Sequence, residues 1–240
     1  MKISNTLSVD ETLHAFVEGE LLPGTGVTPQ GFWAALDSIL AAEWMRRNHP
    51  DAYYNASSHM LTNELIVAEL PFERRGQGDG WYWACSFNTE APLTEYVMHW
   101  HKRFDDQLER YIDFGGKRGR VDVKSAKFKA YRMPMVIQLF DRLTWYAVGD
   151  PEAVRDLCST VTHIGKKSAQ GLGTVDYWEI RPWPEDWSET REGWLTRAIP
   201  VVAGLQSGRV AQYGIRPPYW HSGHQRVCAM PEVGHGQGSI

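Results

Sequence analysis

The stretch from Asp150 to Ile180 constrains this chain most, because its hydrophobic period switches from that of a helix to that of a strand across a glycine-rich loop. Asp150 can cap a helix, Pro151 suits its first position, and Val154, Leu157, Val161 and Ile164 fall on one stripe, so a helix is predicted over 150–164. Thr174, Val175, Tyr177, Trp178 and Ile180 then make a β-prone run. Between the two lie Gly165, Gly171 and Gly173, enclosing Lys166, Lys167, Ser168 and Gln170. Glycines let a backbone approach a partner closely, and exposed amides beside two ammonium groups favour a phosphodiester backbone. A tight helix cap with two solvated lysines is the plainer reading of the same residues.

Two nucleotide-binding loops do not fit. A P-loop needs a glycine five residues before the Gly165-Lys166 pair, where Thr160 stands, and it joins a strand to a helix, the reverse of the order here. The dinucleotide fingerprint fails because Gly171-x-Gly173 is followed three positions on by Asp176. No cofactor is therefore expected.

The charge balance, 25 lysines and arginines against 29 acids for a net −4, does not advertise nucleic-acid binding over the whole surface. Any such activity must be local. The basic residues are indeed concentrated: Gly115 to Arg132 carries Lys117, Arg118, Arg120, Lys124, Lys127, Lys129 and Arg132 against Asp122 alone. Its second half alternates polar and apolar residues, which predicts a basic two-stranded ribbon able to follow a phosphate backbone, with an ordinary solvated hairpin as the plainer reading. Three widely separated cysteines, Cys85, Cys158 and Cys228, suggest a reducing cytoplasm. There is no run of 18 apolar residues to cross a membrane. Eleven tryptophans and ten tyrosines are many for 240 residues; most should lie in the core.

Taken in order, the chain predicts a strand over Leu13 to Leu21 and, after a Pro/Gly/Thr linker, a helix over Pro29 to Arg47. That helix has a stripe of Phe32, Leu36, Leu40, Ala41 and Trp44, with Arg46 and Arg47 suiting the C-terminal dipole. Asn63 to Leu70 and Trp81 to Phe87 read as strands joined by the turn RRGQGDG. Glu95 to Tyr111 reads as a helix, with Asp105, Asp106 and Glu109 on a solvated face. Met135 to Val148 reads as a central strand or a bent pair. From Arg181 on, the Pro-, Gly- and Trp-containing segments RPWPEDW and IRPPYWHSGHQRV lose periodicity, and the tail is expected to pack irregularly on the body or a partner.

With the basic insertion set aside, the order strand, helix, strand, strand, helix, strand is the βαββαβ unit of the ferredoxin-like fold, which RNA-recognition (RRM-type) domains also use. The expected class is therefore α+β. Residues 1–180 would form the core, with an inserted segment at about 95–132, and residues 181–240 an irregular C-terminal extension.

That order resembles the RAMP superfamily of CRISPR-associated proteins. So do LDSILAAEWMRR, the basic segment ending KFKAYRMPM, and IGKKSAQGLGTVDYW as the glycine-rich loop after the second helix. Within the superfamily the chain is most similar to the Cas-five-like subunit of type IV effector complexes, over roughly Leu13 to Ile180. PPYW at Pro217 to Trp220 adds a loose likeness. The resemblance implies a non-catalytic subunit of an antiviral effector complex. Such a subunit grips the 5′ handle of the CRISPR RNA, caps a filament of backbone subunits beside a large-subunit-like protein, and lies near target DNA at the protospacer-adjacent motif. By matching position, 165–173 would bind the handle and 117–132 would lie in an inserted thumb-like hairpin.

Other chemistries have candidates too. The same superfamily contains a metal-independent CRISPR RNA endonuclease (Cas-six-like), whose acid–base chemistry calls for a histidine near neutral pKa; His163, His14 and His49 are candidates. His221, His224 and Cys228 have spacing compatible with zinc, with Cys85 or His235 as a fourth ligand, although the paired zinc-finger signature is missing. Trp183, Trp187, Trp194 and Trp220 would suit a protein-interaction module if exposed. There is no G-x-S-x-G motif.

Overall fold

The computed structural model of the chain describes residues 14–21, 34–55, 65–115, 119–124, 128–165, 168–201 and 209–232. Strand β1 (His14–Leu21) is followed by helices α1 (Leu36–Asn48) and α2 (Pro50–Asn55), and then by the short strands β2 (Arg74–Arg75) and β3 (Tyr82–Trp83). The long strands β4 (Thr94–Lys102) and β5 (Tyr131–Leu139) come next, then β6 (Arg142–Val148), helix α3 (Pro151–Cys158) and β7 (Val175–Pro182). The chain continues through β8 (Thr190–Arg191), β9 (Trp194–Leu195), β10 (Ile199–Pro200), β11 (Val210–Gly214) and β12 (Gln225–Ala229). This is an α+β architecture of small antiparallel sheets, and no described helix is long and apolar enough to cross a membrane.

β1 is the centre of the main sheet. It pairs antiparallel with β6 on one side, where Val17 faces Trp145, and with β7 on the other, where Val17 faces Ile180. Residues 84–89 run along the free edge of β6, with Ser86 N–H donating to the Tyr146 carbonyl at 2.8 Å and Val148 N–H to the Ala84 carbonyl at 2.9 Å. Alternation along β1 puts Ala15, Val17 and Leu21 on the face that α1 and α3 cover, with Leu36, Leu40, Val154 and Leu157 completing the core. Residue 19 falls on the same face, and glycine there leaves room for the Trp178 ring, which a Cβ would meet at 3.1 Å. On the opposite face Phe16 stacks on Trp183 at 5.4 Å, and Trp187 meets Tyr146 at 4.9 Å. Those two tryptophans are therefore partly buried packing residues, whereas Trp194 and Trp220 remain 45% and 59% exposed.

Several elements follow the expectations from sequence. α3 is capped by Asp150, whose side chain accepts from the Glu152 and Ala153 amides, and Pro151 occupies its first turn, but the helix ends at Cys158 and not at Ile164, because the backbone from Thr162 on pairs with the strand leg at Gly173 to Val175 instead. The helix expected over Pro29 to Arg47 is described from Leu36, and residues 29–33 lie outside the described residues. Met135 to Val148 is a bent pair, β5 and β6, turning at Phe140 and Asp141.

Others differ. Glu95 to Tyr111 is a strand followed by a 3-10 helix (Asp106–Tyr111), because Tyr96, Met98 and Trp100 recur every second residue and face Ile137, Met135 and Met133 across the β4–β5 ribbon. Residues 65–70 join no strand, though Ala68 and Leu70 are buried in the main core. The turn at 76–80 links β2 to β3 as a tight hairpin. The C-terminal extension is not irregular. β10, β12 and β11 form a second sheet, with a core of Ala198, Ile215, Cys228 and Met230 that reaches Ala35, Tyr82 and Phe87 of the body. Single-residue pattern is weak in such short strands, and long-range pairing defines them.

Candidate nucleic-acid interface

The glycine loop is closed at its base by backbone pairing. His163 and Thr174 form an antiparallel bridge, Ile164 N–H donates to the Gly173 carbonyl at 2.8 Å, and Val175 N–H to the Thr162 carbonyl at 2.9 Å. Buried Ile164 and Leu172 anchor the two legs. Gly165, Gly171 and Gly173 have φ of 88°, 75° and 66°, a region where an L side chain is strained, so glycine is required at these three corners. Ser168 and Gln170 sit exposed on a 3-10 turn at the apex. Lys166 and Lys167, between them and Gly165, lie outside the described residues.

The take-off of the loop is held from three sides. Trp178 Nε1 donates to the Val161 carbonyl at 2.8 Å, and Arg155 ties α3 to the Ile180 carbonyl at 2.8 Å. Arg47, expected only as a dipole-complementing cation, reaches across from α1 to Asp156 Oδ2 at 2.5 Å and Thr160 Oγ1 at 2.7 Å. Glu43 organises that clamp, accepting from Arg46, Arg47 and Thr160. Burial pushes the Glu43 carboxyl up, but the Arg46, Thr160 and Arg47 hydrogen bonds outweigh it and bring it down to about 2.

Of the described basic segment, only Tyr131 and Arg132 belong to the β4–β5 ribbon, and the rest sits beyond its far end. Nine residues pair in register from Thr94↔Leu139 to Lys102↔Tyr131, so the tip projects roughly 30 Å beyond the base. At the tip Phe104 packs on Phe128 at 5.2 Å, and the carboxylates build turns: Asp105 takes the Gln107 amide, Asp113 the Gly115 amide, Asp122 the Lys124 amide and Glu109 the Val121 amide. Arg120, Lys124, Lys129 and Arg132 are exposed around this frame, and Lys117, Arg118 and Lys127 lie outside the described residues. Sequence reasoning missed Lys102, Arg103 and Arg110 by placing them on a helix. The register sets Lys102 opposite Tyr131, its ammonium 5.7 Å from that ring, and the period-two apolar pattern was the available signal.

Loop and ribbon leave the main sheet at the same end. Leu21, the last residue of β1, pairs with Val175 at the foot of the loop, and its amide donates to the Asp141 carbonyl at 2.9 Å, in the turn at the foot of the ribbon. The foot of the loop and the foot of the ribbon, more than thirty positions apart in sequence, thus meet at one end of the sheet.

The candidate acid–base histidines His163, His14 and His49 lie apart from one another, whereas the His221 and His224 rings lie 5.1 Å apart. His163 Nδ1 lies 2.9 Å from Thr162 Oγ1; His14 is paired with Val148 at the opposite end of the sheet; His49 caps α1, its ring 5.3 Å from that of Trp44. His221 Nδ1 accepts the Gly223 amide, buried His224 faces the Arg216 carbonyl at 3.2 Å, and Cys228 Sγ approaches the Tyr213 carbonyl at 3.8 Å. Burial holds the Cys228 thiol up at about 11. Among the described residues no three His, Cys, Asp or Glu are placed to hold a metal ion, and His235 lies outside them.

A family model described as CRISPR type IV associated protein Csf3 matches residues 25–231. No curated protein matches the chain.

Proposed function

The chain belongs to the family of CRISPR type IV associated protein Csf3, and on that premise we propose that it is a non-catalytic, RNA-binding subunit of a CRISPR effector complex that grips the 5′ handle of the guide RNA. The observation that carries this reading is the shared edge. A loop held open by three left-handed glycines and a ribbon with exposed cations at its tip spring from one end of the sheet, at Leu21. Loop amides and lysines would fix the sugar–phosphate chain near the sheet, while the ribbon would follow the strand outward as a thumb. The ferredoxin-like βαββαβ reading of the core, and with it the Cas-five-like assignment, is supported by the antiparallel order 84–89, β6, β1, β7, with α1 and α3 as the connecting helices. The same reading makes backbone-filament and large-subunit-like proteins its neighbours and puts target DNA near the protospacer-adjacent motif within reach.

The test is binding of the full chain to labelled guide RNA carrying its handle, across a salt series. Lys166→Glu/Lys167→Glu should weaken binding at least tenfold in low salt, with an unchanged melting temperature. The salt dependence should flatten by about 0.7 for each phosphate no longer neutralised on a single strand. Unchanged affinity and slope would refute the loop assignment. In the same reactions repeat RNA should stay intact. A discrete cut abolished by His163→Ala would turn the assignment to the endonuclease.

A further inference from the structure

At the other end of the main sheet, roughly 20 Å from the glycine loop along β6, two arginines converge on one indole and a third stands beside them. The Arg74 guanidinium carbon lies 4.6 Å from the centre of the Trp81 ring and 4.9 Å from that of Trp83, and the Arg216 guanidinium carbon lies 4.4 Å from Trp81. Arg226 joins them through a shared acceptor. Its Nη2 donates to the Asp79 carbonyl oxygen at 3.0 Å, the same oxygen that takes Arg216 Nη1 at 2.8 Å. Arg74 comes from the β2–β3 hairpin, whereas Arg226 lies on β12 of the C-terminal sheet and Arg216 just beyond the end of β11. The cluster therefore exists only once the two sheets are packed together.

Like charges do not gather in this way without a counter-charge or a structural reason. The Arg216 and Arg226 guanidiniums are held by carbonyl oxygens, those of Asp79, Trp81, Gly223 and Gln225, which orient them without neutralising them. Arg216 is 7% exposed, and its Nε–H has no hydrogen-bond partner. Burial first, then Arg226 and Arg74, hold it below the usual guanidinium range, with Asp79 opposing. A buried cationic donor left unsatisfied among other cations is the signature of a missing anion. The neighbouring turn is uncrowded, since a Cβ at Gly78 or Gly80 would meet nothing within 4 Å.

We propose that Arg74, Arg216 and Arg226 form a second anion site, which takes a phosphodiester group of a nucleic-acid strand. Planar guanidiniums present paired N–H groups that match phosphate oxygens, and the indole beneath two of them fixes their planes in advance. The inference rests on the chain meeting nucleic acid, as proposed above, but not on the glycine loop. The strand is the outgoing guide RNA or a target DNA duplex, since both offer the same phosphate chemistry.

The test measures binding of the full chain to a single-stranded RNA oligonucleotide and, separately, to a duplex DNA, across a salt series. Arg74→Glu and Arg226→Glu should each weaken binding to one of the two probes on the order of tenfold in low salt. Each should also flatten its salt slope, by about 0.7 on RNA or about 0.9 on duplex DNA for every phosphate no longer neutralised. The probe affected identifies the strand. Combined with Lys166→Glu/Lys167→Glu, the losses should multiply if both sites engage the same strand, because the sites lie far apart. If the arginine variants lose binding while the loop variant does not, the loop reading fails and this site stands. If both arginine variants bind both probes like the wild type, the site is refuted. Should the Glu variants melt below the wild type, Arg74→Gln and Arg226→Gln carry the same comparison, and full affinity in them is equally fatal. Weakened binding to polyglutamate alone, with RNA and DNA untouched, would also overturn the proposal, in favour of an acidic protein partner.

Discussion

Glu43 is 6% exposed and takes hydrogen bonds from two arginines and a threonine, so its charge is part of the fold. Its carboxyl is held at about 2 in the folded chain, against an ordinary value of 4.5. A depressed carboxylate stabilises the fold above its unfolded pKa and loses that contribution as pH falls through the folded value. Glu43→Gln should therefore cost about 2 kcal/mol near pH 7, discounted for the partly exposed Arg46, and the gap to the wild type should close between about pH 4.5 and 2. Urea unfolding at several pH values would show this; a gap independent of pH would remove charge from the account. The sequence showed Arg46 and Arg47 as helix-end cations and no more. Both also bond Glu43 on their own helix, but the further partners of Arg47, Asp156 and Thr160, lie more than a hundred positions away, beyond what spacing within one helix can reveal.

Among the elements, the start of α3 and the glycine corners were the most legible, because a cap, a proline and glycines are local signals that require no knowledge of neighbours, whereas the apolar Val161 and Ile164 extended the expected helix past its end at Cys158. The ribbon was the least legible. Histidines alternating with Met98 and Trp100 obscured the period, and only the partner strand, with Met135 and Met133 opposite them, settles it as β. Since both strands project from the body, the cations at the tip contribute little to stability. Lys124→Glu/Lys129→Glu/Arg132→Glu should leave the melting temperature within a few degrees of the wild type. The same triple reversal should cut affinity for guide RNA about tenfold or more at low salt, and far less at high salt. A large loss of stability with unchanged RNA affinity would mean that the ribbon folds against the body and serves packing instead.

At the scale of the whole molecule, one buried network joins the two sheets. Asp37, on α1 and fully buried, accepts from the Tyr219 hydroxyl, which lies 2.7 and 2.9 Å from its two carboxylate oxygens, with Arg197 Nη2 3.9 Å away. Arg197 in turn donates to the carbonyls of Trp83, of Cys85 at 2.8 Å and of Ile215 at 2.9 Å. Burial pushes the Asp37 carboxyl up, and Arg197 and Tyr219 oppose it. Arg197→Ala would strand a buried carboxylate and several carbonyls, at a cost of about 3–5 kcal/mol, while Tyr219→Phe should cost about 1–3 kcal/mol. Both losses should show in denaturant unfolding, with protease cutting first in the C-terminal sheet. Equal resistance to protease would mean that the extension is held by its apolar packing alone.

The sequence by itself determined the α+β class, the glycine corners, the capped helix and the concentration of positive charge, since each depends on residues close together in the chain. Tertiary structure decided which charges meet. It brought the loop to the foot of the ribbon, Arg47 to Asp156, Asp37 to Tyr219, Arg74 and Arg216 to Trp81, and Arg226 to the carbonyl that Arg216 also holds. Meetings of that range arise from strand register and the packing of whole sheets, and a hydrophobic pattern read along a single strand cannot specify its partner.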